Sequence, residues 1–112
     1  MVGGIFWQTD WIDICAYNES MKIEWDPAKA AANVQAHGVS FGEAATVLED
    51  DFALTREDPD AQGEQRFVTL GMSVTGALLV LVYTHREPDI CRLISSWKAN
   101  KLQRNMYEKN RR

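Results

Sequence analysis

The chain has 112 residues, 46% hydrophobic and 25% charged, which is the length and composition of one folded domain. Its longest apolar run, Ala77 to Val82, falls well short of the roughly 18 residues that a membrane-spanning helix needs. Two cysteines, Cys15 and Cys91, stand outside any CxxC or Cys/His spacing, so the pattern suggests neither a disulfide framework nor a zinc site, and a reducing cytoplasm is the expected compartment.

Residues 1–20 contain three acids, no Lys or Arg and no long apolar core, and therefore fail as a secretory signal. They read as an N-terminal extension, upstream of a domain that opens at Met21 and spans residues 21–112. In the alternative, Ile5, Trp7, Trp11 and Ile14 pack on that domain and hide apolar surface. A strand-like Lys22-Ile23-Glu24-Trp25 comes next. Asp26-Pro27 then gives an N-cap and a proline at the first helical position, Ala28 to Ala36 favours helix, and Gly38 ends it. Ser40-Phe41-Gly42-Glu43 is a capping box for a second helix, with Phe41, Ala44, Ala45 and Leu48 as its buried stripe.

Beyond an acidic stretch the period becomes strand-like: Phe52 to Thr55, Gln65 to Leu70, Ala77 to Thr84 and Ile90 to Ser95, joined by turn-rich links. Short links favour an antiparallel meander, with the run from Ala77 apolar on both parities and hence central. A last helix is expected over about Trp97 to Lys109, with Ala99, Leu102 and Met106 on its buried side. The expected fold is α+β: an antiparallel sheet of four to five strands packed with two N-terminal helices and a C-terminal helix.

The net charge of −4 hides two blocks. From Arg92 to the C-terminus seven basic residues face one acid, Glu108, whereas Glu49 to Asp60 holds six acids against Arg56. The first block suits phosphate; the second repels it and is expected to lie away from nucleic acid.

No Gly-rich phosphate loop, GxSxG or HExxH is present. The unusual feature is arginine on apolar strand parities: Arg66 with Val68 and Leu70, Arg92 with Ile90 and Ile94. Each either snorkels from a strand end to pair with Glu64 or Glu24, or lines a site where its permanent planar charge stabilises a phosphorane. His37, before Gly38, either complements a helix C-terminus or serves as a general base, and His85 reads as a surface residue. Lys29, Lys98, Lys101 and Arg104 are solvated helix cations or phosphate ligands. Tyr107 either packs or contacts a base.

These segments come in a known order. Ile23-Glu24-Trp25-Asp26-Pro27-x-Lys29, Asn33-x-x-x-His37-Gly38-Val39-Ser40-Phe41-x-Glu43-Ala44, Gly63-Glu64-x-Arg66, the Leu79 to Tyr83 strand, Arg92-x-Ile94-Ser95 and Lys98-Ala99-Asn100 resemble the BrnT toxin family over about residues 22–109. The resemblance implies a RelE-like ribonuclease fold and the toxin half of a type II toxin-antitoxin pair. It also implies a ribbon-helix-helix antitoxin through which the complex reaches operator DNA, as a homodimer or a heterotetramer with the antitoxin.

The implied chemistry is RNA cleavage without metal or cofactor, by attack of the ribose 2′-OH on the adjacent phosphate to leave a 2′,3′-cyclic phosphate. Arg66 and Arg92 would stabilise the phosphorane, and His37 or Glu64 would move the proton. Lys29, Lys98, Lys101, Arg104 and Tyr107 would hold the RNA. Two positions depart from the family pattern: Trp97 stands where an arginine is usual, and Ala36 where a lysine is usual. Loss of a cation at the site leaves a second function open, a catalytically inactive antitoxin partner and co-repressor. A third is a non-specific nucleic-acid binder whose affinity falls steeply with salt.

Overall fold

The computed structural model describes residues 22–61, 63–86 and 89–111, so residues 1–20, expected to form an extension, and with them Ile5, Trp7, Trp11, Ile14 and Cys15, lie outside the described residues. In chain order the elements are β1 (Lys22–Glu24), α1 (Pro27–His37), α2 (Phe41–Ala45) running into a 3-10 turn (Thr46–Glu49), β2 (Leu54–Glu57), β3 (Arg66–Met72), β4 (Leu78–Arg86), β5 (Ile90–Lys98) and α3 (Lys101–Arg111). No helix among the described residues is long and apolar enough to cross a membrane.

The helix starts follow the capping chemistry. Asp26 accepts the Ala28 N–H at 2.9 Å, and Gly38 closes α1 in the left-handed region at φ 69°, where a side chain would be strained. Ser40 accepts the Glu43 N–H at 3.1 Å. Glu43 does not complete that box: its carboxylate accepts the hydroxyls of Ser73 and Thr75 in the β3–β4 turn instead. The complete box belongs to α3, where Asn100 accepts the Gln103 N–H and Gln103 accepts the Asn100 N–H, both at 2.8 Å. The last helix therefore begins after Asn100, and Trp97 and Lys98 are strand residues rather than its first turn.

Five strands form one sheet in the order β1-β5-β4-β3-β2. β2 to β5 make the expected antiparallel meander, but β1 runs parallel to β5, so the sheet is mixed. The hairpin rule applies only to strands joined by short links. Here the two helices and three strands between β1 and β5 return the chain to the free edge of β5 in the same direction.

One face of the sheet is closed. Phe67, Leu79, Leu81, Tyr83, Cys91 and Leu93 pack under Val39, Phe41, Ala44 and Val47. Val47, not Leu48, is the fully buried end of that stripe, because the 3-10 turn takes three residues per turn rather than 3.6. The contact between β3 and the 3-10 turn is tight: a Cβ at Gly71 would come within 3.1 Å of both the Val47 carbonyl and the Ala53 side chain.

The opposite face is apolar over half its length. Leu54, Leu70, Leu78 and Val80 pack with Tyr107 of α3, while Leu102, expected on that helix's buried side, is 68% exposed. The helix phase is set by Tyr107, whose hydroxyl donates to Asp50 at 2.6 Å, and Leu102 lies too far round the helix to follow it inward.

Candidate nucleic-acid interface

Arg66 and Arg92 lie two strands apart, and the register brings them together. Arg66 is directly opposite Thr84, and Thr84 is directly opposite Arg92, so the three side chains share one row on the face that carries α3. With strand spacings of about 4.8 Å, the two arginine backbones are roughly 10 Å apart. Glu24 of β1 extends the row, since it pairs with Arg92 in register and accepts from its guanidinium at 2.8 Å. At the other end Asp58 contacts the Arg66 Nε at 3.5 Å. Pairing of Arg92 with Glu24 is thus observed, whereas the partner of Arg66 is Asp58 and not Glu64. Both arginine side chains remain one-third exposed, so the pairing does not remove them from solvent.

The neighbouring rows add two arginines that inspection of strand parities had not selected. Arg56 is opposite Val68, and Arg86 is opposite Ile90, both on the same face. The available signal was parity: Arg56 lies two residues from the buried Leu54, and Arg86 two from the buried Thr84. Glu64, the candidate carboxylate, joins this group through a 3.7 Å contact with Arg86 in which both side chains are about half exposed. The acidic stretch, expected to lie away from nucleic acid, borders the arginine row: Asp58 comes from it, and Glu57, Asp58 and Glu64 line a shallow depression beside the row. Asp50, from the same stretch, is structural, receiving the Met72 N–H at 2.8 Å as well as Tyr107.

The remaining candidates are distributed elsewhere. Lys101 and Arg104 are exposed on α3, which lies on the arginine side of the sheet. Tyr107 is 2% exposed and held by Asp50, with its pKa raised by burial first and by that carboxylate second, so the packing alternative describes it and no base can stack on it. Lys29 is exposed on α1, near its start.

Lys98 is on the wrong face to join the arginines. Arg92 and Lys98 have the same parity, but a register shift at Val82/Tyr83 inserts one extra residue, Ile94, into β5, so Ser95 onward changes face and Lys98 sits opposite Leu79 on the closed side. There it faces Glu43, whose pKa is lowered by the hydroxyls of Thr75 and Ser73 and, to a smaller degree, by Lys98. His37 is at that same end of the sheet, its ring centroid 6.0 Å from that of Trp97. Trp97 is opposite Val80, four register steps from the Thr84–Arg92 pair, or roughly 13 Å at a strand's rise. A general base must approach within hydrogen-bonding distance, so the structure does not bring His37 into the arginine row. Trp97 is therefore remote from the row, and Ala36 precedes His37 in α1, so neither departure from the family pattern removes one of the row's own cations. His85 is partly buried and alternates away from Thr84 and Arg86, off the cationic face. Cys91 is fully buried on the closed face, where burial pushes its thiol pKa up to about 12 and keeps it protonated and unreactive.

The mixed sheet carries the arginine row and the basic helix α3 on one face, and its fold has known counterparts. Among solved structures, the fold is similar to the crystal structure of the Brucella abortus ribonuclease toxin, BrnT, with TM-score 0.55 and 20% identity over 72% of this chain and 99% of that one. No curated protein sequence matches. Likeness at that identity speaks to the fold. The family model for the ribonuclease toxin, BrnT, of type II toxin-antitoxin systems matches residues 25–102, well over half of the sequence, and the chain belongs to that family.

Proposed function

We propose that this toxin-family chain cleaves RNA on the open face of its sheet, without a metal, by attack of a ribose 2′-OH on the adjacent phosphate. The observation that carries the reading is the single row of Arg66, Thr84 and Arg92, flanked on the same face by Arg56 and Arg86. In the reaction the attacking 2′-oxygen adds to phosphorus, negative charge builds on the non-bridging oxygens, and the 5′-oxygen leaves with a proton taken from solvent, giving a 2′,3′-cyclic phosphate and a 5′-hydroxyl. Two guanidiniums, Arg92 hydrogen-bonded to Glu24 and Arg66 in ion-pair contact with Asp58, meet that charge with little reorganisation, which is what lowers the barrier. The 2′-OH proton passes to one of the carboxylates bordering the row: Glu64, Glu24 or Asp58. The exposed cations Lys101 and Arg104 extend the positive surface along α3 and hold the RNA backbone.

The partner that a type II system supplies is an antitoxin. We read it as a ribbon-helix-helix protein that carries the complex to operator DNA, with exposed Ile23, Trp25 and Val34 as apolar side chains available for such contact.

The test is RNA cleavage by the full chain in EDTA, with Arg66→Ala and Arg92→Ala beside it. Cleavage to cyclic phosphate ends, reduced about 10²- to 10³-fold by either substitution, is the expected result. Intact RNA with a preparation that binds its antitoxin would replace this reading with the co-repressor one.

A further inference from the structure

Among the described residues, five serine and threonine side chains are buried, and the hydroxyls of all but one are satisfied. Thr55 and Thr69 bond each other at 2.7 Å, Thr69 also meets the Tyr83 hydroxyl at 3.1 Å, Ser96 donates to the Val80 carbonyl at 2.7 Å and Ser73 donates to Glu43 at 2.8 Å. Thr84 is the exception: its residue is 1% exposed and its Oγ1 has no hydrogen-bond partner. A buried hydroxyl left unpaired is unfavourable, and native structures rarely tolerate one without a reason.

Its position supplies the reason. On its own face Thr84 has Arg66 on one side and Arg92 on the other, each at the directly opposed register position. The contact of Arg66 with Asp58 is through Nε, and that of Arg92 with Glu24 through one terminal nitrogen, so each planar fork keeps donors for a second anion. A tetrahedral oxyanion seated between the two forks presents a further oxygen towards the sheet, where the side chain between the two arginines in register is Thr84, with its hydroxyl as donor.

We infer that Thr84 is a third contact to the bound phosphate, its hydroxyl donating to a non-bridging oxygen held between Arg66 and Arg92. This deepens the ribonuclease reading and rests on it only for the identity of the anion as an RNA phosphodiester; the oxyanion site stands on the row itself. Thr84 in the free protein is a polar group prepared for a ligand, and the hydroxyl is satisfied when the ligand arrives.

The experiment compares the full chain with Thr84→Val, which keeps the shape and removes the hydroxyl, and Thr84→Ser, which keeps the hydroxyl. Thr69→Val, which removes a bonded hydroxyl, is the structural control. Thermal unfolding, binding of inorganic phosphate followed by amide NMR shifts, and steady-state RNA cleavage are measured on each. Expected for Thr84→Val are an unchanged or raised Tm, phosphate affinity weakened about threefold to tenfold, and kcat lowered about tenfold to a hundredfold with KM little changed. Thr84→Ser restores binding and turnover.

Phosphate binding by Thr84→Val equal to that of the unaltered chain overturns the inference. So does a fall in Tm matching that of Thr69→Val together with failure of Thr84→Ser to restore binding. Should Thr84→Val not fold, Thr84→Ala and Thr84→Ser give the same comparison. Intact RNA combined with a Thr84-dependent phosphate affinity sinks the ribonuclease reading while sustaining the anion contact.

Discussion

The two faces of the sheet are built from the same five strands and differ in what they leave unfinished. Under α1 and α2 the face is closed: Phe41 and Tyr83 are at most 1% exposed, and the polar groups among them, Thr55, Thr69 and Tyr83, satisfy one another. On the opposite face α3 covers only the half with Leu54, Leu70 and Val80, and the other half carries arginines, their carboxylate partners and one unsatisfied hydroxyl. Stability is concentrated on the first face and binding capacity on the second, because groups that pack to completion have nothing left for a ligand.

Substitutions on the closed face should therefore alter stability more than chemistry. Phe41→Ala has the largest expected effect. Its ring is 1% exposed and meets Trp25 edge-on at 6.0 Å, and its removal should cost about 3–5 kcal/mol in denaturant unfolding, with the arginine row unaltered in whatever fraction stays folded. An equal loss of phosphate affinity in folded protein would mean that the two faces are not separable. Asn33→Ala should follow. The Asn33 amide donates to the Val39 carbonyl at 3.0 Å and the Ser96 carbonyl at 2.8 Å and accepts the Ser96 N–H at 3.1 Å, tying α1 to the exposed edge of β5. Removing it strands buried backbone groups, a loss of about 2–3 kcal/mol measurable as a lower denaturation midpoint.

Glu43→Gln is smaller and depends on pH. The Thr75 and Ser73 hydroxyls lower the Glu43 pKa in the folded chain relative to the unfolded one. The carboxylate therefore contributes stability above the ordinary carboxylate range, and that contribution is lost as pH falls through the folded value. Unfolding midpoints of Glu43→Gln and the unaltered chain should differ at neutral pH and converge in acid; a difference independent of pH would remove the charge from the account.

Much of the closed face was legible in the sequence, because it follows from local rules. Asp26-Pro27 and Ser40-x-x-Glu43 mark their helices, and the two-parity apolar run marks β4 as central. Half of the open face was legible too: the strand parities of Arg66 and Arg92 place them on the side of Val68 and Leu70, and the register confirms it. Lys98 was not, because nothing in Arg92-Leu93-Ile94-Ser95 announces that one residue bulges out, and a single inserted residue exchanges the faces of everything after it. The parallel edge strand was hidden for a related reason. The Glu24–Arg92 ion pair was among the readings of the sequence, but the parallel register behind it, Ile23 opposite Cys91, is selected by how the sheet edge closes rather than by any local pattern.

His37→Ala should have the smallest effect, and it separates geometry from residue type. Imidazole is the side chain whose chemistry best suits proton transfer near neutrality, and His37 is one of two in the chain. Yet its ring lies beside Trp97, roughly 13 Å along β5 from the Thr84–Arg92 pair, and no proton crosses that gap without a relay. RNA cleavage by His37→Ala should stay within about twofold of the unaltered chain, and the acid limb of its pH profile, where a general base titrates, should not move. A loss of tenfold or more at unchanged stability would place the reacting phosphate at the Trp97 end of the sheet, and with it Lys98 rather than Arg92 as the cation that matters.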